Sequence, residues 1–324
     1  MMKRFAASLA VMSVIGAIVP AHADTYPAKP VTVIIPFAPG GGVDVLTRAI
    51  AAKLEANWRK PVIVQNKPGA GSLVGTAYVA RAAPDGYTLL ATVNQSMVGN
   101  RFLYKHLPYD PDKDFVPITM MVKAEQLIVA NKNLPVKTLK DVVALARSKP
   151  GTLNYGSYGN GSQPHLLFSM INDREHIHLT HIPYNGITPN LLALAGGDVQ
   201  LASGSAAVVL PLVQSGKIKP IAVAGSERVN QFPDVSTTTE QGFPYAQISI
   251  WYGMFAPAGT PAAVVSDIRK AVQAVLADPQ FVKQQVSSKG LNVVAGDGKQ
   301  LADTIHKETQ STGAMIKAAG VVAE

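Results

Sequence analysis

The stretch that most constrains this chain runs from Val31 to Arg48, VTVIIPFAPGGGVDVLTR, where an apolar run feeds a glycine turn and then a helical pattern. That order aims the first backbone N–H groups of a helix at whatever lies beyond the turn. Those groups have no intrahelical partner, and the helix dipole places roughly half a positive charge there, so a carboxylate or phosphate is stabilised. The same device recurs where Leu153 to Tyr155 precede a turn of Gly156, Ser157, Gly159, Gly161 and Ser162, with Pro164 suited to a helix start. Two such turns, far apart in the chain, point to one ligand between two lobes.

Lys3 and Arg4, the apolar stretch Phe5 to Val19 and then Ala21-His22-Ala23 have the layout of a secretory signal peptide, residues 1–23, cleaved after Ala23. Its apolar segment is shorter than the about 20 residues of a membrane span, and no later segment is long enough. A soluble, exported protein is therefore expected. Cysteine is absent, which excludes a disulfide framework, a thiol nucleophile and a thiolate metal site. Without the signal peptide, 27 Lys and Arg face 21 Asp and Glu, a net charge of +6 that favours anionic ligands. The basic residues are dispersed, often beside acids as in Lys137 to Asp141, so nucleic acid is not an expected partner.

Strand-like runs at Val31 to Pro36, Val62 to Gln65, Tyr87 to Thr92, Leu127 to Ala130, Ile177 to Tyr184, Val199 to Ala202 and Ile218 to Ala224 alternate with helical patterns. That alternation predicts an α/β fold with parallel sheets. Leu46, Ile50 and Leu54 form one apolar stripe, and Val264, Ile268, Val272 and Val275 form another on a helix from Ala262 to Ala277. Thr188-Pro189 and Thr260-Pro261 read as helix starts, Gly196-Gly197 and Asp278-Pro279 as stops. One lobe is expected from residues 24–123 joined by 251–324, the other from 124–250, in two Rossmann-like domains. The chain then crosses twice, near Met121 to Glu125 and Ile248 to Phe255, and the crossings act as a hinge.

The strings YPAKPVTVIIPFAPGGGVD, NKPGAGSLVGTAYVARAAPDGYTLL, LPYDPDKDF, LNYGSYGNGSQPHL, HIPYNG and FAPAGTP, in this order and spacing, resemble the extracytoplasmic solute receptors of tripartite tricarboxylate transporters, the Bug-type receptors. The resemblance covers essentially the whole chain after the signal peptide. It implies a periplasmic, two-lobed type II binding fold that closes on a small carboxylated solute, such as a dicarboxylate or an aromatic acid. It also implies delivery to membrane components of a transporter, with no cofactor, no metal and no turnover. A monomer is expected.

Gly40, Gly41 and Gly42 let the backbone approach a ligand, although a strand-to-helix turn needs glycine anyway. Asp44 reads equally as an N-cap or a site residue. Ser157, Asn160, Gly161 and Ser162 offer donors at the second turn, and His165 supports it, while Ser162 also reads as a helix cap. Phe37 and Tyr158 could sandwich a ligand body. Asn94, Gln95 and Ser96 follow a strand end on the ligand side of an α/β sheet. Tyr184, Gly204 and Ser205 close further strands, and Trp251 and Tyr252 either wall the cleft or pack the hinge. Relatives often carry Lys at the position of Asn185 and an acid near Ser203, so this chain lacks a fixed cation and an acid there.

No phosphate-loop motif occurs, and Gly156-Ser157-Tyr158-Gly159 has the wrong spacing for a nucleophile elbow. A secreted hydrolase using Ser157 and His165 is the enzymatic alternative, and a ligand-presenting sensor shares the receptor's signature. His176, His178 and His181 fall on opposite faces of a strand and read as solvated rather than metal-binding.

Overall fold

The structure, a computed structural model, describes residues 26–225, 227–318 and 323. The expected signal peptide lies outside them. Strand β1 (Val31–Ile35) leads into α1 (Gly42–Trp58), followed by β2 (Val62–Asn66), α2 (Leu73–Ala80), β3 (Thr88–Val93) and the short α3 (Asn100–Leu103). The long β4 (Phe115–Asn131) opens a second series of α4 (Leu139–Ser148), β5 (Asn154–Ser157), α5 (Gln163–Glu175), β6 (Thr180–Pro183), α6 (Ile187–Gly196), β7 (Leu201–Ser205), α7 (Ala206–Gln214) and β8 (Ile218–Ala224). Strand β9 (Ser249–Pro257) precedes α8 (Ala262–Ala277), α9 (Pro279–Phe281), β10 (Leu291–Val293) and α10 (Gly298–Ala318).

Two sheets share one strand. Parallel β2, β1 and β3 continue through antiparallel β9 onto the first part of β4, where Phe115 pairs with Pro257 and Glu125 with Ser249. From Gln126 onward β4 pairs instead with β7 and β8, both antiparallel, and β7 continues in parallel to β5 and β6. The chain thus crosses between lobes on two hydrogen-bonded strands. The expected parallel sheets exist on each outer side, but β4 and β9, which carry the chain across the hinge and back, run antiparallel, and β8 and β10 join β4 antiparallel as well.

Each lobe has its own core. Leu46, Ile50 and Leu54 of α1 bury their stripe with β1 and β3, and Val265, Ile268 and Val272 of α8 join the same cluster. The buried position is therefore Val265, with Val264 only packed against the edge. Burying each such side chain contributes about 1.5–3 kcal/mol. The second lobe packs Tyr155, Leu167, Phe168 and Ile171 against Ile128 and Leu201. Two expected caps differ: α6 starts one residue after Gly186, whose φ of 124° suits glycine, and α8 is preceded by Pro261. Thr260 instead donates its hydroxyl to the Pro257 carbonyl.

Candidate functional site

A cavity of ≈ 80 Å³ lies between the lobes. Taking about 10–15 Å³ per water, it holds roughly six waters, the scale of a small organic acid. From the first lobe, Phe37, Ala38, Gly41 and Gly42 of the β1–α1 turn line it, with Val43 and Val93. The second lobe supplies Tyr158 after β5, Gly186, Ile187 and Thr188 at the start of α6, and Gly204, Ser205 and Val208 around the start of α7. The crossing strands add Gln126, Ile250 and Tyr252.

Three helices begin at this cavity: α1 after Gly41, α6 after Gly186 and α7 after Ser205, and none has a side-chain cap on its N-terminus. The first-turn N–H groups of each lack intrahelical acceptors, so their dipoles add at one place. Gly42 is required by a close approach: a β-carbon there would collide with the Tyr252 hydroxyl. That hydroxyl hydrogen-bonds the Ser205 side chain, and burial pushes it up to about 12. The Tyr158 hydroxyl oxygen is shielded from solvent beside the Gln163 main chain, without a hydrogen bond of normal geometry, and burial raises its pKa.

Of the residues singled out from sequence, Phe37, Gly41, Gly42, Tyr158, Gly204, Ser205 and Tyr252 come together at the cavity. Gly40 and Asp44 do not. Asp44 lies within the first turn of α1 rather than at its cap, accepts the Gly40 N–H and binds Arg48 and Asn66. Burial pushes its carboxyl up, but the bonds from Arg48, Gly40 and Asn66 outweigh this and hold it below the usual range. Ser96 is fully buried on Ser72 and Thr92.

The second turn faces inward. Ser157, with no exposed surface, sits 2.7 Å from His181 Nε2 and accepts the Gly159 N–H. His165 accepts the Gly161 N–H through Nδ1 and stacks on His181 at 3.9 Å, and the Tyr155 ring stacks on His181 at 5.1 Å. Burial first, then His165, drives the His181 pKa down to about 3. This corrects two expectations: Ser157 pairs with His181 rather than His165, where no substrate reaches it, and His181 is packed rather than solvated. Ser162 donates its hydroxyl to the Gly159 carbonyl instead of capping α5. Asn160 is exposed, and Tyr184 packs near Gly156 and Asn190. Among the described residues, no group of three or more His, Asp or Glu is placed to hold a metal ion.

Asn94 and Gly161 line a separate cavity of ≈ 30 Å³ with Gln95 and Gln163. Trp251 is buried behind the sheet and donates Nε1 to Glu308. Strand alternation explains this: Ile250 and Tyr252 share the cavity face of β9, and Trp251 points the other way. Sequence reasoning missed Gln126, Ile187, Thr188, Val208 and Ile250. Only the helix starts after PYNG and ASGS signalled some of them. No local signal marks Gln126, whose place depends on β4 running through both lobes.

Two α/β lobes joined by paired crossing strands and closing on a cavity of helix starts define a solute-binding protein. The chain belongs to the tripartite tricarboxylate transporter receptor family: residues 46–321 match the description "Tripartite tricarboxylate transporter family receptor". Protein BugT of Bordetella pertussis is 32% identical over 306 residues, 94% of each chain. The solved structure of the periplasmic binding protein BugD is 32% identical, with a TM-score of 0.86, covering 92% of this chain and 100% of that one. An R. palustris protein solved with adipate is 29% identical with a TM-score of 0.89, again over 92% and 100%. MatC from Rhodopseudomonas palustris, solved with malate, is 31% identical with a TM-score of 0.83, over 90% and 100%. The chain is accordingly a receptor of the Bug type and not an enzyme. Among the described residues no helix is long and apolar enough to cross a membrane.

Proposed function

We propose that this receptor captures a small carboxylate in the cavity between its lobes and delivers it to the membrane components of a tripartite tricarboxylate-type transporter. The observation that carries the reading is the convergence of three uncapped helix starts, at Gly42, Ile187 and Ala206, on one interlobe cavity. Relatives solved with adipate and malate support a carboxylate as the solute. Phe37, Gly41, Gly42, Tyr158, Gly204 and Ser205 are the site residues of this reading, joined by Gln126, Ile187 and Tyr252.

The lobes are residues 24–123 with 251–324, and residues 124–250. The change of β4's partner from β9 to β7 after Glu125 supports those limits. Ligand stabilises the closed arrangement because both lobes contact it. The chain acts in the periplasm after cleavage behind Ala23, as its N-terminal sequence indicates, and it works as a monomer. A thermal-shift screen of mono-, di- and tricarboxylates, aromatic acids and amino acids on protein stripped by refolding tests the reading. A ligand at a hundred times its Kd adds about 2.7 kcal/mol, a visible shift. A melt unmoved by every carboxylate overturns the proposal.

A further inference from the structure

Resting on the carboxylate-receptor reading above, we infer that this cavity takes a monocarboxylate with an apolar body, and that a second carboxylate weakens binding. The helix starts form one anionic focus, not two. Gly42 lies against the Tyr252 hydroxyl, which bonds Ser205 at the start of α7. A β-carbon on Gly41 would touch Ile187 at 3.8 Å, and one on Gly204 would touch Ile187 at 3.5 Å. These close approaches set the starts of α1, α6 and α7 beside one another around the same cavity.

Much of the rest of the wall is hydrocarbon. Phe37, Val43, Val93, Val208 and Ile250 line it, and no Lys, Arg, His, Asp or Glu does. Arg48, on the second turn of α1, is held on Asp44 and Asn66. The polar groups left in the lining are neutral, among them Gln126, Thr188 and the Tyr158 hydroxyl. They offer hydrogen bonds but no positive charge. A second carboxylate would be desolvated against aliphatic side chains with no cation to pair it, and a buried unpaired charge is strongly disfavoured. An apolar body gains from the same wall.

Isothermal titration calorimetry on refolded, ligand-free protein tests this with pairs differing only in the second carboxylate: hexanoate against adipate, and benzoate against terephthalate. In every pair of which either member binds, the monocarboxylate is expected to bind at least about tenfold more tightly than its dicarboxylate, a difference of about 1.4 kcal/mol. Adipate or terephthalate binding as tightly as, or more tightly than, its partner overturns the inference and leaves the carboxylate receptor standing. If none of the four binds but malate does, the inference falls in the same way. If no carboxylate of any kind binds, the receptor reading fails and takes the inference with it.

Discussion

A β-carbon placed on Gly42 would collide with the Tyr252 hydroxyl, so the turn that starts α1 rests directly on the strand that crosses between lobes. The same hydroxyl reaches Ser205 at the start of α7. One side chain therefore connects a first-lobe helix start, the crossing strand and a second-lobe helix start. Gly42→Ala forces that arrangement apart. It should cost about 1–3 kcal/mol as overpacking and weaken carboxylate binding by at least about tenfold. Chemical denaturation and calorimetry read the two effects separately, and an unchanged affinity would show that the turn can move without affecting the site.

Removing only the hydroxyl is a gentler test of the same link. Tyr252→Phe keeps the ring that packs with Val93 and Val122 in the first-lobe core. The loss of one buried hydrogen bond is expected to cost about 0.5–1.5 kcal/mol, and ligand affinity should fall by less than in Gly42→Ala. A variant as stable as wild type would mean that Ser205 finds another partner.

The second turn predicts an acid-sensitive lobe. His181 is held near pH 3 by burial and by His165, against an ordinary value of 6.5. A histidine whose folded pKa is depressed binds its proton in the unfolded chain first. Its contribution to stability is thus fully present above pH 6.5 and is lost as pH falls from 6.5 towards 3. Because the ring is partly exposed, screening reduces the effect to about 1–3 kcal/mol over that window. Denaturation curves across this range should show a clearly smaller pH dependence in His181→Gln than in wild type. Equal slopes would assign the acid sensitivity to other groups.

Ser157→Ala separates support from contact. Its hydroxyl meets His181 and Gly159 and has no surface in the cavity. Leaving those partners unsatisfied should cost about 1–3 kcal/mol, while carboxylate affinity in the folded variant stays within about threefold of wild type. A much larger loss of affinity would place the serine at the ligand after all.

Much of the frame was legible because it follows from local pattern. The stripe of Leu46, Ile50 and Leu54 fixed one helix face, and the glycines after Ile35 marked a turn that does line the cavity. What escaped depends on relations between distant segments. Trp251 and Tyr252 look interchangeable in sequence, and only the register of β9 against β3 and β4 sends one to the cavity and the other to Glu308. Asp44 reads as a cap until Asn66, from the neighbouring strand, arrives to bind it. Ser157 and His181, 24 residues apart, meet because β5 and β6 pair in parallel with Tyr155 opposite His181. A polar turn thereby became buried support rather than an open binding loop.

The most direct test of the account is a crystal structure of the receptor with the tightest-binding carboxylate from the screen. The account predicts carboxylate oxygens about 2.7–3.2 Å from first-turn N–H groups of α1 and of α6 or α7, with the body against Phe37, Val208 and Ile250. A carboxylate bound instead beside Asn94 and Gln163, or on the outer surface of either lobe, would contradict it.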